Sequence, residues 1–178
     1  MNSPVVLVLA SGRGERFLAS GGSGSKLQAM LAGRPVLEHT LAAVRASGLP
    51  FHVEAAGHPG MGDSIAAGVR ATADAGGWLV LPGDLPLVSP QSLRAVADAL
   101  GHASVVVPTW HGARGHPVGF SAQHGAALQA LTGAEGAAAI VRAWKPLLLE
   151  LDDEGIVTDV DTVADLARAQ ELLSRRSA

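Results

Sequence analysis

Cysteine and tyrosine are both absent from this 178-residue sequence, and Phe and Trp occur three times each. The first absence excludes disulfides, thiolate metal sites and a cysteine nucleophile. The scarcity of rings leaves little from which to build a stacking platform for single strands, and a net charge of −3 gives no general attraction to a phosphate backbone. Nucleic acid is therefore not an expected partner. Long apolar runs are missing as well. The first run, Val5 to Ala10, has six residues and no basic stretch ahead of it, so it fits neither a signal peptide nor a membrane span. A cytoplasmic protein with no membrane partner is the expectation.

What remains is an apolar fraction of 48% against 16% charged residues, which suits an ordered globule. The length favours one domain over residues 1–178. Short β-branched runs recur at "VVLVLA" (Val5 to Ala10), "FHVEA" (Phe51 to Ala55), "WLVLP" (Trp78 to Pro82) and "SVVVP" (Ser104 to Pro108). Each reads as a strand buried on both faces. Helical patterns lie between them: "PVLEHTLAAVRASG" from Pro35, "DSIAAGVRATADA" from Asp63, and "SPQSLRAVADAL", where Ser89 is a good N-cap with Pro90 at the first helical position. This alternation predicts an α/β doubly wound, mostly parallel sheet. After Pro108, "TWHGARGHPVGF" predicts a hairpin inserted over one end of the sheet. A short helix around Glu135 to Trp144, a strand "LLLEL" and a terminal helix follow, the last capped by Thr162 with Asp165 three positions on.

In such sheets ligands bind beyond the carboxyl ends of the strands. The loop after the first strand, "LASGRGERFLASGGSGSKL" (Leu9 to Leu27), carries Gly12, Gly14, Arg13, Arg16 and Lys26, a composition that suits a polyphosphate. It is not a Walker loop, because Lys26 precedes Leu27 and not Ser or Thr. It is not the dinucleotide fingerprint either, because position 17 is Phe. Asp84 in "LVLPGDLPLV" follows a buried strand and is stiffened by Pro82 and Pro86, which makes it a candidate Mg²⁺ ligand. His111, His116 and His124 have irregular spacing and do not predict a zinc site.

At these elements the sequence resembles the MobA-like NTP transferases, the family containing the cytidylyl- and guanylyltransferases of molybdenum-cofactor synthesis. The carrying segments are "LASGRGERF…KL", "GRPVLEHTL" (Gly33 to Leu41), "GMGDSIAAG" (Gly60 to Gly68), "LPGDLPLV", "RGHPVGF" (Arg114 to Phe120) and "DVDT" (Asp159 to Thr162), in the family's order. The resemblance implies a Rossmann-like nucleotidyltransferase fold and a Mg²⁺-dependent transfer of a nucleotide to a phosphorylated acceptor. It implies that Leu9, Ala10, Ser11, Gly12, Arg13 and Gly14 bind the nucleotide, with Asp63 and Ser64 at its base or sugar. It places Arg16 on phosphate, Lys26 on the charge built up at the α-phosphate, Asp84 and Asp161 on the metal, and Arg114 and His116 by the acceptor. CTP is favoured over GTP and molybdopterin is the favoured acceptor, with a molybdoenzyme as a further partner. The other readings are a sugar-phosphate nucleotidylyltransferase, a glycosyltransferase, and a non-catalytic accessory protein that binds nucleotide or cofactor for molybdoenzyme maturation. Three departures from the family stand out. The link from Phe17 to Lys26 is long, predicting that Gly21, Gly22 and Gly24 form a mobile flap. The span from Leu49 to Gly60 is short, predicting a smaller sheet. "TGAEGAAA" (Thr132 to Ala139) replaces polar groups of the corresponding family segment.

Overall fold

The computed structural model describes residues 2–176. Strands β1 (Val5–Leu9), β4 (Phe51–Glu54), β5 (Gly77–Pro82), β6 (Val105–Trp110), β7 (Ala113–Arg114), β8 (Val118–Ser121) and β9 (Leu147–Glu150) form one sheet. A separate two-stranded ribbon joins β2 (Met30–Leu31) to β3 (Arg34–Pro35). The helices are α1 (Glu15–Ala19), α2 (Val36–Ser47), α3 (Met61–Ala71), α4 (Pro90–Ala99), α5 (Gly125–Gln129), α6 (Ala138–Ala143) and α7 (Val163–Arg176).

Period-two alternation along β1 assigns its side chains to two cores. Val6 and Val8 pack with Leu41 and Val44 of α2 and with Leu93 and Val96 of α4 on one face. Val5, Leu7 and Leu9 pack with Ile65 and Val69 of α3, Leu128 of α5 and Ile140 of α6 on the other. The expected caps are present: Ser89 Oγ accepts from the Ser92 N–H at 3.1 Å. Thr162 Oγ1 accepts from Asp165 N at 3.2 Å while Asp165 Oδ2 accepts from Thr162 N at 2.8 Å. The third helix starts at Met61, two residues ahead of the predicted Asp63.

The sheet order is β4-β1-β5-β8-β6-β7, with β9 also paired to β6. Parallel pairing joins β1 to β4, β1 to β5, and β6 to β9. The predicted hairpin is inserted in the sheet and does not lie over its end, because β8 runs antiparallel between β5 and β6 and bonds to both. Because β4 and β5 flank β1 on opposite sides, the chain reverses direction of travel across the sheet at β1. The carboxyl end of β1 is thus the place where α/β sheets open a crevice.

The connection from β9 to α7 is anchored by Asp153, which is 7% exposed. Its carboxylate accepts from Ser89 N, Ser92 Oγ and Gly155 N, and pairs with Arg176 at 3.0 Å. Burial alone would raise this carboxyl, but the bonds from Ser92, Ser89 and Gly155 hold it below the ordinary range. A depressed carboxyl stabilises the fold above the unfolded-state value and loses that contribution as pH falls through its folded value. Asp153→Ala should therefore cost about 2 kcal/mol in urea unfolding at neutral pH, with the difference from wild type shrinking below about pH 4.

Candidate functional site

Two tight turns bring the site together at the carboxyl ends of β1 and β5. Gly83 N donates to Leu9 O at 2.9 Å, and the Thr40 hydroxyl donates to Gly83 O at 2.8 Å. A Cβ on Gly83 would lie 2.9 Å from the end of the Leu37 side chain and 3.1 Å from Leu9 O, so glycine lets these strand ends approach closely without a shift of either. Asp84 follows, with Leu85 and Leu87 buried behind it. Val160 N donates to Asp84 O at 2.9 Å, which docks the extended segment before α7 on the same turn. Val160 is fully buried, so Asp159 and Asp161 on either side of it project the other way.

Lys26 enters from the first loop. It sits in a 3₁₀ turn whose start is capped by Ser25 Oγ, with Leu27 buried beside it. Its ammonium donates to Asp84 Oδ2 and to Asp161 Oδ1, both at 2.6 Å. Arg16 pairs with the other Asp161 oxygen at 2.8 Å. Burial would lower the Lys26 pKa, but the facing carboxylates of Asp84 and Asp161 carry it above the ordinary lysine value. The remaining Asp84 oxygen, Oδ1, is buried without a hydrogen-bond partner among the described residues.

Asp159 was not singled out by sequence, yet its carboxylate lies within 4.8 Å of those of Asp84 and Asp161. Its carboxyl is raised, first by burial and then by the negative charges of Asp84, Asp161 and Asp165. The signal that could have found it is the i, i+2 spacing of "DVD" in an extended segment. Three carboxylates with an orphaned oxygen form a donor set of the kind that holds a hard divalent cation.

A cavity of about 340 Å³ opens beside this cluster. Leu9, Ser11, Gly12, Arg13, Lys26, Ser64 and Asp84 line it, and so does His58, which sequence reasoning missed. Ser11 and Ser64 share a hydrogen bond of 2.8 Å. A second opening of about 250 Å³ is lined by Gly12, Arg13, Gly14, Arg16, Lys26 and Asp161, with Gly14 in the left-handed region at φ +65°. Ala10 is not among the residues lining these two cavities; its N–H donates to Glu54 O at 2.8 Å. Asp63 is not among the residues lining these cavities; its carboxylate accepts from Gly133 N at 2.9 Å. Arg114 and His116 instead border a third cavity of about 390 Å³, whose walls include Ile65, Val80, Val107, Val118, Phe120 and Val141. Burial lowers the His116 pKa, with Asp84 pulling the other way, so this imidazole is neutral at pH 7.

The link from Phe17 to Lys26 is anchored at its first residues, ahead of Gly21, Gly22 and Gly24 of the predicted mobile flap. Phe17 is 3% exposed, Glu15–Ala19 is helical, and Ser20 Oγ accepts from Val163 N at 3.0 Å. The arm that carries Lys26 is thus fastened to the start of α7.

Residues 42–148, more than half of the chain, match the MobA-like NTP transferase domain, and the chain belongs to that family. Among curated proteins it is similar to the bifunctional protein GlmU of Xanthomonas campestris pv. campestris, at 30% identity over 57% of this chain and 27% of that protein. The chain therefore spans about a quarter of that relative's length. Among solved structures it is similar to Rv0371c of Mycobacterium tuberculosis H37Rv, with a TM-score of 0.79 at 24% identity over 96% of this chain and 98% of the other. That protein has also been solved as a complex with manganese, with a TM-score of 0.75 at 24% identity over 96% and 99% of the two chains. A nucleotidyl transferase from Methanothermobacter gives 0.78 at 22% identity over 99% and 100%. These likenesses extend over the whole sheet and confirm the fold.

The Lys26 ammonium and a divalent cation would compete for the same two carboxylates. Lys26→Met, which keeps the side-chain bulk and removes the charge, should bind Mn²⁺ about tenfold more tightly than wild type in calorimetric titration without nucleotide. Unchanged or weaker binding would show that the carboxylates do not form the cation site.

Proposed function

We propose that this member of the MobA-like NTP transferase domain family is a Mg²⁺-dependent nucleotidyltransferase that moves CMP from CTP to a phosphorylated acceptor, molybdopterin, and releases pyrophosphate. The observation that carries this reading is Lys26, held at 2.6 Å from both Asp84 and Asp161 beside a cavity at the sheet's switch point. Family membership supports nucleoside triphosphate as the donor. CTP and molybdopterin rest on the motif resemblance, and the manganese complex of the Mycobacterium tuberculosis neighbour supports a divalent cation.

In this reading Asp84, Asp159 and Asp161 would hold the cation, which supplies positive charge to the phosphates of the donor. The loop around Gly12, Arg13 and Gly14 receives the triphosphate on backbone N–H groups and one exposed guanidinium. A terminal phosphate oxygen of the acceptor attacks the α-phosphorus. The new P–O bond forms as the bond from the α-phosphorus to the bridging oxygen breaks, and the electron pair leaves on pyrophosphate. Released from its carboxylates, Lys26 neutralises the charge that accumulates on the α-phosphate oxygens. No covalent enzyme intermediate is needed, so the residues act by position and charge.

The third cavity offers the proposed acceptor aliphatic walls for the face of a flat ring, with Arg114, Glu135, Arg142 and the neutral His116 also lining it for phosphate and polar edges. Met61 lines both this cavity and the nucleotide cavity, so the two adjoin.

Pyrophosphate release from CTP, Mg²⁺ and molybdopterin tests the proposal. Wild type should turn over, and Lys26→Met should lose about a hundredfold or more in kcat with an unchanged unfolding midpoint. Asp84→Asn should lose the dependence on Mg²⁺ concentration. Tight nucleotide binding without pyrophosphate release would point to the accessory reading, and turnover with a sugar phosphate alone would replace the acceptor.

A further inference from the structure

The nucleotide cavity has chemically different sides because it straddles the end of β1. Asp84 and Lys26 stand on the β5 side, and His58 follows β4 on the other. Leu9, Pro59, Met61 and Pro82 contribute apolar walls of the kind that sandwich a flat base. Of the polar side chains lining the cavity, Ser11 and Ser64 bond to each other, and Ser64 also donates to Gly60 O at 3.2 Å. His58 is held differently.

Its Nε2 lies 3.0 Å from Glu54 Oε1. Glu54 is 9% exposed at the end of β4 and also accepts from Ala56 N at 3.1 Å, with His52 Nε2 at 3.4 Å from its second oxygen. Burial would raise the Glu54 carboxyl, but the bonds from His58, Ala56 and His52 hold it below the ordinary range, so it is ionised at neutral pH. An ionised carboxylate only accepts, and therefore Nε2 of His58 carries the hydrogen. In the neutral imidazole this leaves Nδ1 as an acceptor.

Resting on the nucleotidyltransferase reading, we propose that His58 is a base-specificity residue whose Nδ1 accepts a hydrogen bond from an exocyclic amino group of the bound nucleobase, with Glu54 as its positioning residue. Cytosine presents an amino group where uracil presents a carbonyl. Against Nδ1, the first makes a hydrogen bond and the second sets two acceptors face to face. A site built around one such polar contact discriminates by roughly tenfold to a hundredfold.

The test is calorimetric titration of wild type, His58→Ala and Glu54→Gln with CTP and with UTP, each with Mg²⁺ at about pH 8. Wild type should bind CTP at least about tenfold more tightly than UTP. In His58→Ala the ratio should fall to about one, chiefly through loss of CTP affinity. Glu54→Gln replaces an obligate acceptor with an amide that can donate to Nε2 and move the ring hydrogen to Nδ1, so its ratio should fall below that of wild type or invert. A structural role alone would weaken both nucleotides together and leave the ratio in place. A CTP to UTP ratio near one in wild type, or one unchanged in His58→Ala, would overturn the role of His58 while leaving the transferase reading intact. Failure of wild type to bind any nucleotide would overturn both.

Discussion

One ammonium between two carboxylates organises this molecule's functional end. Lys26, Asp84 and Asp161 come from three distant parts of the chain, and their convergence requires three separate structures to be in place. The first loop must be fastened through Phe17 and Ser20, the β5 turn must be packed against β1 through Gly83, and the segment before α7 must be docked by Val160 on Asp84 O. Carboxylates this close repel one another, and the Asp159 carboxyl is raised first by burial and then by the negative charges of Asp84, Asp161 and Asp165. Lys26 and Arg16 offset that repulsion only in part, since two cationic side chains face three acidic ones. In the proposed reaction that pairing would have to break, so cation arrival would be coupled to release of the lysine.

Much of the framework was legible in the sequence because its signals are local. Val5 to Leu9 and Gly77 to Pro82 are continuous apolar runs, and Ser89 with Pro90 and Thr162 with Asp165 are caps with their own chemistry. The insertion of β8 between β5 and β6 was not legible. The turn at His111 and Gly112, both with positive φ, marks a hairpin, but which sheet edge receives its second arm depends on pairing between segments about forty residues apart. The five-residue helix α1 was missed for a related reason. It is too short to show a period and is held by burial of Phe17 and by a bond to α7, not by its own propensity.

The same division applies to the site. Residues named by spacing and charge, Lys26, Arg16, Asp84 and Asp161, converge as a cluster, whereas the Asp63 carboxylate accepts from Gly133 N. Asp159 was hidden because an i, i+2 acidic pair in an extended segment has many uses; only the burial of Val160 fixes which way its neighbours project. His58 was hidden more deeply. Its significance comes from Glu54, four residues away in a run read as buried on both faces; β4 is instead an edge strand with Phe51 exposed, and Glu54 is its buried residue.

In the proposed reading, the topology would let base recognition and phosphate chemistry be separated in this site. β1 contributes its carboxyl end to both, but the groups on its two sides are set by different strands: β4 carries Glu54 and leads into His58, and β5 leads into Asp84. Hydrogen bonds anchor each side independently to β1, through Ala10 N on Glu54 O and Gly83 N on Leu9 O. A change on the β4 side can therefore alter which base is read without moving the carboxylates. A change on the β5 side alters charge and metal affinity without moving the imidazole. Sites that do not share partners behave additively, and here the strand between them supplies that independence.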